Sequence, residues 1–204
     1  MRKIDRHIIQ QEDKIKNNSE EILKIATKLF YENGYDNTPT RELAKAVGMS
    51  NAGIYYHYKD KNDILFHILN ESTSRLYKTV RDAVIEEDDP IENLDRIIST
   101  LVKIVVESKI EIGILLKESN RLSSEQLKSI KSKMKAVVEL TKNELAKLDN
   151  KGQLKKFNVT VSAFALMGMT NWVMHWYDPS SDIKAEELAD TLKEIFFSGV
   201  IEKV

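Results

Sequence analysis

TPTRELAKAVGMSNAGIYYHYKDK, residues 38–61, is the most informative stretch of this 204-residue chain. A Thr-Pro pair at 38–39 has the form of an N-cap followed by proline in the first helical position, and it predicts a short helix through Val47. Gly48 ends that helix, and after a tight turn an N-cap serine opens a second helix over residues 50–58. The stretch is therefore predicted to be two short helices joined by a turn.

The second short helix has two chemically different faces. Ile54 and Tyr58 lie four residues apart on one face, which is expected to pack on the first helix. The opposite face presents Ala52, Tyr55 and Tyr56. Exposed tyrosines on a two-turn helix are unfavourable unless they meet a partner. This face is therefore predicted to be a contact surface.

This arrangement is typical of a helix-turn-helix, whose second helix enters the DNA major groove. Ala52 and Gly53 are small enough for close approach to DNA, and Asn51 can hydrogen-bond to a base edge. Arg41 and Lys61 stand near the starts of the helices before and after, where phosphate is favoured. A helical hairpin that uses its tyrosines in a protein interface is the alternative.

Helical spacing of apolar residues continues through the rest of the chain, without strand alternation or internal repeats. Only 7 Gly and 3 Pro interrupt it. An all-α fold is predicted, with Asn17-Asn18-Ser19 stopping any earlier helix and Ser123-x-x-Gln126 forming a capping box. The predicted helices cover approximately residues 19–33, 38–47, 50–58, 62–86, 91–105, 123–150, 157–177 and 188–196.

Composition argues against an enzyme or a metal protein. The absence of Cys excludes disulfides, thiolate zinc sites and thiol catalysis. The four histidines are scattered and no nucleophile elbow or phosphate loop is present, so no catalytic residue, metal ligand or cofactor is assigned. The acidic run 86–89 lacks the spacing of a calcium loop and is predicted to be a loop.

The net charge of −1 conceals an uneven distribution. Residues 1–61 hold eleven basic and nine acidic side chains, whereas residues 62–204 hold twenty and twenty-three. The overall charge therefore excludes only a generic polycation, and DNA binding would depend on local placement of basic and tyrosine side chains.

No export signal or membrane span is predicted. The N-terminus lacks the apolar region of a signal peptide, which favours the cytoplasm. Residues 157–177 contain no charged side chain, but a third of them are polar or Gly. A helix buried in a core or a subunit interface is the better interpretation than a transmembrane helix.

The run AxxLFYENGYDNTPTRELAKAVGMSNAGIYYHYKDKNDIL, residues 26–65, resembles the DNA-binding domain of the TetR family of transcriptional regulators. The Gly-Tyr turn, the Thr-x-Arg-x-x-Ala helix, the Val-Gly-x-Ser turn and the Ile-Tyr-Tyr-His-Tyr helix occur in order at fixed spacings. Pro39 departs mildly from the pattern, where the family often has Ser or Thr. The resemblance implies DNA contacts by Thr40, Arg41, Asn51, Ala52, Gly53, Tyr55, Tyr56, His57 and Lys61.

The resemblance also implies a domain organisation. It predicts an N-terminal extension at 1–18, a three-helix DNA-binding domain at 19–61 and a C-terminal helical domain for ligand binding and dimerisation at 62–204. A homodimer would read a near-palindromic double-stranded operator. The extension is either disordered or an extra helix whose basic residues reach DNA: Arg2, Lys3, Arg6, Lys14 and Lys16.

Residues 117–123 and 168–192 resemble the TetR branch whose effectors are CoA thioesters of fatty or steroid-derived acids. This resemblance implies an acyl-CoA effector and a repressor linked to fatty acid or lipid metabolism. Candidate ligand-binding residues are Lys117, Arg121, Phe164, Met167, Gly168, Asn171, Trp172, Met174, His175 and Trp176. The same aromatics also suit a core or dimer interface. A regulator with a different hydrophobic ligand, or an architectural DNA-binding protein without an effector, remains an alternative.

Overall fold

The computed structural model describes the backbone of residues 3–202 and the side chains of residues 15 and 17–202. Within these residues the protein consists of nine α-helices, one 3₁₀ turn and an isolated antiparallel bridge between Leu154 and Ile201. The predicted all-α fold is confirmed. The helices are α1 Lys3–Asn33, α2 Thr40–Val47, α3 Asn51–His57, α4 Lys61–Ala83, α5 Pro90–Glu107, α6 Lys109–Glu118, α7 Ser124–Asn150, α8 Val159–Trp176 and α9 Ala185–Val200, with the 3₁₀ turn at Ser119–Arg121.

The chain divides into two compact units. The first comprises residues 1–71 and 110–127, and the second comprises residues 72–109 and 128–204. The sequence predicts that the boundary between the DNA-binding domain and the C-terminal domain lies after residue 61. The structure groups the first turns of α4 and the segment 110–127 with the N-terminal helices.

In the first unit, α1, α2 and α3 pack around a core of aliphatic and aromatic side chains. Ile22, Ala26 and Phe30 repeat along the buried side of α1, while Leu43 and Ile54 fill the space between α2 and α3. This spacing places one apolar stripe on each helix toward a common core. The packing fixes α3 against the helices before it.

The predicted helix start at Ser19 is wrong. The helix α1 runs without interruption from Lys3 to Asn33, through the Asn-Asn-Ser sequence. These residue types weaken a helix interior by only tenths of a kcal/mol, so about four turns of continuous backbone hydrogen bonding override them. Side chains of the predicted basic extension lie outside the described residues.

The predicted N-cap at Thr38 is also wrong. The N-cap of α2 is Pro39, with φ −69° and ψ 150°, and Thr40 is the first helical residue. The Thr38 side chain is fully buried, and its Oγ1 donates to the Gly34 carbonyl at 2.9 Å. Its hydroxyl thus stabilises the turn after α1.

In the second unit, α5 packs against α8 and α9. Beside this apolar core, the fully buried amide of Asn93 donates to the Ile85 carbonyl at 2.8 Å and accepts from the Ile85 N–H at 2.9 Å. It also donates to the Glu144 carboxylate at 3.2 Å, which in turn accepts from Lys147 at 2.7 Å. These bonds satisfy a buried carboxylate and fasten the loop after α4 to α5 and α7.

The short helix α6 is not predicted by the sequence. Its sequence KIEIGILLKE is apolar on nearly every side, so it lacks the one-sided stripe that identifies an amphipathic helix. By contrast, the predicted capping box before α7 is confirmed. The Ser123 N–H donates to Gln126 Oε1 at 3.0 Å, and the Gln126 N–H donates to Ser123 Oγ at 3.2 Å.

Candidate nucleic-acid interface

Local chemistry sets the turn between α2 and α3. Gly48 adopts the left-handed conformation at φ 74°, and its N–H caps the carbonyl of Lys45 at 3.2 Å. Ser50 Oγ accepts from the Gly53 N–H at 3.1 Å, which starts α3. These are the two capping functions predicted from the sequence, and they orient α3 relative to α2.

The two faces of α3 differ in burial as predicted. Ile54 is fully buried and Tyr58, at the end of the helix, is 5% exposed. Tyr56 is 72% exposed and Tyr55 52% exposed. Since one face is held in the core, the other is presented to solvent as a fixed surface.

Two further candidates for DNA contact, Asn51 and Ala52, lie exposed at the start of the same helix, and Gly53 is half-buried. At the start of α2, Arg41 is exposed and Thr40 is half-buried. With Tyr55, Tyr56 and half-buried His57, the structure thus brings eight of the nine candidates onto α2 and α3, each of them at least partly accessible. Their DNA contacts stay a prediction.

His57 occupies the junction of α3 with α1. Its Nδ1 lies 2.9 Å from Ser19 Oγ, and the Tyr58 hydroxyl donates to the Ser19 carbonyl at 3.2 Å. Burial raises the pKa of Tyr58 to about 12. These contacts fasten the end of the recognition helix α3 to α1, so His57 has a structural partner besides any role at DNA.

Lys61 is engaged inside the protein. Its Nζ donates to the Tyr35 carbonyl at 2.7 Å and lies 4.2 Å from the centre of the Tyr35 ring. Burial lowers its pKa. The sequence could not show this contact, because it joins positions 26 residues apart. In this geometry the ammonium group supports the turn before α2, and a phosphate contact by Lys61 stays a prediction.

The candidate ligand-binding residues fall into two groups. Lys117 and Arg121 belong to the first compact unit, and Arg121 already pairs with Asp36 and Glu118 at 2.5 Å each. The other eight are on α8, in the second unit. Met167 is buried and Met174 half-buried, whereas six lie on the exposed face of α8: Phe164, Gly168, Asn171, Trp172, His175 and Trp176. Exposure of this set favours the interface alternative that the sequence left open.

An open groove of about 630 Å³ lies in the second unit. Its basic residues are Arg75 and Lys78, and none of the candidate ligand residues lines it. Among the described side chains, no group of three or more His, Asp or Glu is arranged to hold a metal ion. No helix within residues 3–202 is long and apolar enough to span a membrane.

Comparison with known proteins relates both parts of the chain to one family. Residues 22–68 match the model "Bacterial regulatory proteins, tetR family", and residues 87–200 match "Tetracyclin repressor-like, C-terminal domain". The second match alone spans more than half of the chain. The first covers α2 and α3 entirely, where the exposed tyrosine face lies.

Individual relatives are similar over nearly the whole chain. HTH-type transcriptional repressor KstR2 of Mycobacterium tuberculosis is 21% identical over 185 residues, spanning 90% of this chain and 92% of its own length. The fatty acid metabolism regulator protein of Bacillus subtilis is 24% identical over 190 residues, spanning 90% and 95%.

A solved structure extends the similarity. The crystal structure of AibR in complex with isovaleryl coenzyme A and operator DNA has a TM-score of 0.79 and 27% identity, covering 87% of this chain and 97% of its own. The capped α2–α3 unit, its exposed tyrosine face and the two family matches lead to one conclusion. The chain belongs to the tetR family of bacterial regulatory proteins and is a helix-turn-helix transcriptional regulator.

Proposed function

We propose that this protein is a homodimeric repressor that leaves a near-palindromic operator when it binds an acyl-CoA linked to fatty acid or lipid metabolism. The observation that carries the proposal is the solvent-facing surface of α3, formed by Tyr55, Tyr56, Asn51 and Ala52 on a helix fixed from behind by Ile54. As a bacterial DNA-binding regulator, it would act in the cytoplasm.

Direct readout by this surface requires hydrogen-bonding groups at the front of α3. Asn51 stands at its first position and can bond to a base edge, while Ala52 lets the backbone approach the groove. The tyrosine hydroxyls can donate to phosphates and fix the docking register. Binding through so few cations on the face is expected to combine a moderate salt dependence with strong sequence preference.

Dimerisation is supported by the exposed face of α8. Val161, Phe164 and Trp172 are 66%, 59% and 64% exposed, and Ile195 of α9 is 57% exposed. Large apolar side chains exposed along one side of a helix are unfavourable in water and mark an interface. Gly168 has no heavy atom within 4 Å of where a Cβ would stand, which leaves room for close approach of a second copy. A dimer would also present two recognition helices about 34–36 Å apart.

An acyl-CoA effector is supported by the relatives. AibR was crystallised with isovaleryl coenzyme A, and the Bacillus subtilis relative is a fatty acid metabolism regulator. In the second unit, the groove lined by Arg75 and Lys78 provides two cationic side chains of the kind that meet CoA phosphates. Lys117, one of the candidates from the sequence, is exposed in the first unit.

The effector is tested on DNA that the wild-type protein selects from a random duplex library. Fluorescence polarisation then measures operator affinity with isovaleryl-CoA, palmitoyl-CoA, free CoA and palmitate. We expect one of the thioesters to weaken binding by about five- to 150-fold, the usual range of allosteric coupling. Release by palmitate alone would favour a different hydrophobic ligand, and no release by any compound would favour the architectural alternative.

The dimer interface is tested by Trp172→Glu, which places a charge on the exposed face of α8. We expect a monomer by analytical ultracentrifugation, with unchanged helical content. Leu116→Glu is the matched control, because Leu116 is 61% exposed on α6, outside the proposed interface. A Trp172→Glu protein that stays dimeric would exclude this face.

A further inference from the structure

The first compact unit contains a cluster of charged, aromatic and amide side chains that joins three segments. We call it the Arg121 cluster; its members are Tyr35, Asp36, Lys61, Asn62, Glu118 and Arg121. Arg121 is at its centre, since its Nη2 donates to Asp36 Oδ2 and its Nε donates to Glu118 Oε2, both at 2.5 Å. The Asn62 amide donates to the Arg121 carbonyl at 2.8 Å.

Two cations of the cluster lie over one ring. The Arg121 guanidinium carbon is 5.0 Å, and the Lys61 Nζ 4.2 Å, from the centre of Tyr35. Tyr35 is 8% exposed, and its ring packs against the Phe30 ring with 5.1 Å between the ring centres. Cation–π contacts of this kind gain strength as the ring is desolvated. The cluster is therefore anchored in the core of the unit.

The Arg121 cluster connects both flanks of the α2–α3 unit to the segment 110–127. Tyr35 and Asp36 form the turn before α2, and Lys61 and Asn62 begin the helix that follows α3. The cluster thus holds both flanks of the DNA-reading helices. Glu118 and Arg121 come from a different part of the chain, the segment 110–127.

That segment belongs to the C-terminal domain by sequence and to the N-terminal unit by packing. It lies inside the match to the C-terminal domain at 87–200, yet it packs with residues 1–71. A second contact supports this placement, because a Cβ at Gly113 of α6 would lie 3.0 Å from the Tyr31 ring of α1. At both ends the segment continues directly into the second unit, so a rearrangement there is transmitted to it through the backbone.

We propose that Arg121 is a positioning residue for operator release, acting through Asp36 and Tyr35 on the turn before α2. This rests on the proposed function of a ligand-responsive repressor. Displacement of residues 118–121 breaks the Arg121–Asp36 pair and the Asn62–Arg121 bond, so both flanks of the helix-turn-helix lose their attachment to the segment 110–127, while the Lys61–Tyr35 bond between the flanks stays. Arg121 keeps its bond to Glu118, which is in the same segment, so Arg121 moves with that segment. Its contact with the Asp36 carboxylate, which lies in the turn before α2, is lost.

The test is a double-mutant cycle on operator affinity, with Arg121→Gln, Asp36→Asn and the double variant. Each single change is expected to weaken binding by about two- to fivefold, the scale of a partly exposed ion pair. The double variant should lose no more than Arg121→Gln alone, since both changes remove the Arg121–Asp36 pair. Losses that multiply, or no loss at all, would overturn the proposal.

The matched control is Arg81→Gln. Arg81 also pairs with a carboxylate, Asp82 at 2.6 Å, and lies over a tyrosine ring, Tyr77 at 5.8 Å, but it does so within α4 outside the first unit. We expect its operator affinity to match the wild type. Isovaleryl-CoA binding by DNA-free Arg121→Gln separates this role from the ligand contact that the sequence predicts for Arg121: retained binding supports the positioning role, whereas loss of that binding would assign Arg121 to the effector instead.

A readout without DNA or ligand separates positioning from simple destabilisation. In hydrogen exchange, Arg121→Gln should speed exchange in residues 34–40 and 51–57 while the core of α1, residues 22–30, stays protected. Uniformly faster exchange across the unit would reduce Arg121 to a structural role. If the wild type selects no DNA, the proposed function fails, whereas this exchange pattern still decides the role of the cluster.

Discussion

Replacing Gly53 with alanine is expected to raise the stability of the protein and to lower its affinity for the operator, so the two effects can be measured separately. Gly53 is inside α3 and is absent from the glycines with positive φ, which are Gly34, Gly48 and Gly152. An added Cβ would lie 3.5 Å from Met49 Cβ and 3.6 Å from Ser50 Oγ, ordinary van der Waals distances. The folded protomer therefore has room for alanine.

The expected effect on stability is favourable. Alanine in a helix interior is about 0.5–1 kcal/mol more stable than glycine, because glycine loses more backbone entropy on folding. For a chain of this size that corresponds to a Tm increase of roughly 1–4 °C. Differential scanning calorimetry of Gly53→Ala beside the wild type measures it.

The expected effect on operator binding has the opposite sign. If α3 approaches the bases as closely as Gly53 and Ala52 suggest, the new methyl group overpacks the interface by about 1–3 kcal/mol, a loss of roughly five- to 150-fold in affinity. A random duplex, bound mainly through phosphates, provides the control and should be affected less. A Gly53→Ala protein that is more stable and binds its operator as tightly as the wild type would refute the reasoning.

Three further outcomes are expected. Asn93→Ala should lower the free energy of unfolding by about 2–4 kcal/mol in urea titration, because it removes the partner of the Ile85 N–H and C=O and of one oxygen of the buried Glu144 carboxylate; a loss below 1 kcal/mol would contradict that role. Tyrosine in the unfolded chain has a pKa near 10, whereas the pKa of Tyr58 in the folded protein is about 12. The contribution of the protonated Tyr58 hydroxyl to the free energy of unfolding is therefore complete below pH 10 and is lost as the pH rises toward 12. Tyr58→Phe should remove that decrease, and parallel stability profiles of the two proteins would count against it. Tyr56→Phe should lower operator affinity by about three- to tenfold with no change in Tm, the scale of one hydrogen bond to a phosphate, and equal affinities would exclude a hydroxyl contact.

Local chemistry made the helix-turn-helix predictable. Its local features each act within a few residues and can therefore be predicted from the sequence: the left-handed glycine at 48, the serine cap at 50, and the spacing of Ile54 and Tyr58. The same holds for the Ser123–Gln126 capping box. At these positions residues within about one turn decide the outcome, and the sequence pattern predicts it. Thr38 is an exception, because its hydroxyl bonds the Gly34 carbonyl and does not cap α2.

The sequence did not predict features that depend on residues outside the local pattern. Whether Ser19 starts a helix depended on what the residues before it could form, and α1 continues through it. Likewise, the uncharged sequence of α8 does not show which of its large apolar side chains face the core. The structure buries Met167 and leaves Trp172 exposed, because the positions of α5 and α9 select the covered face.

The sequence by itself determined the all-α class, the recognition helix and its tyrosine surface, since periodicity and caps are local properties. Only the tertiary structure decided that Lys61 caps the Tyr35 carbonyl and that Arg121, 85 residues from Asp36, pairs with it. The Arg121–Asp36 pair forms because the segment 110–127 folds onto the N-terminal helices and brings the two charges together. No spacing rule along the chain encodes that contact.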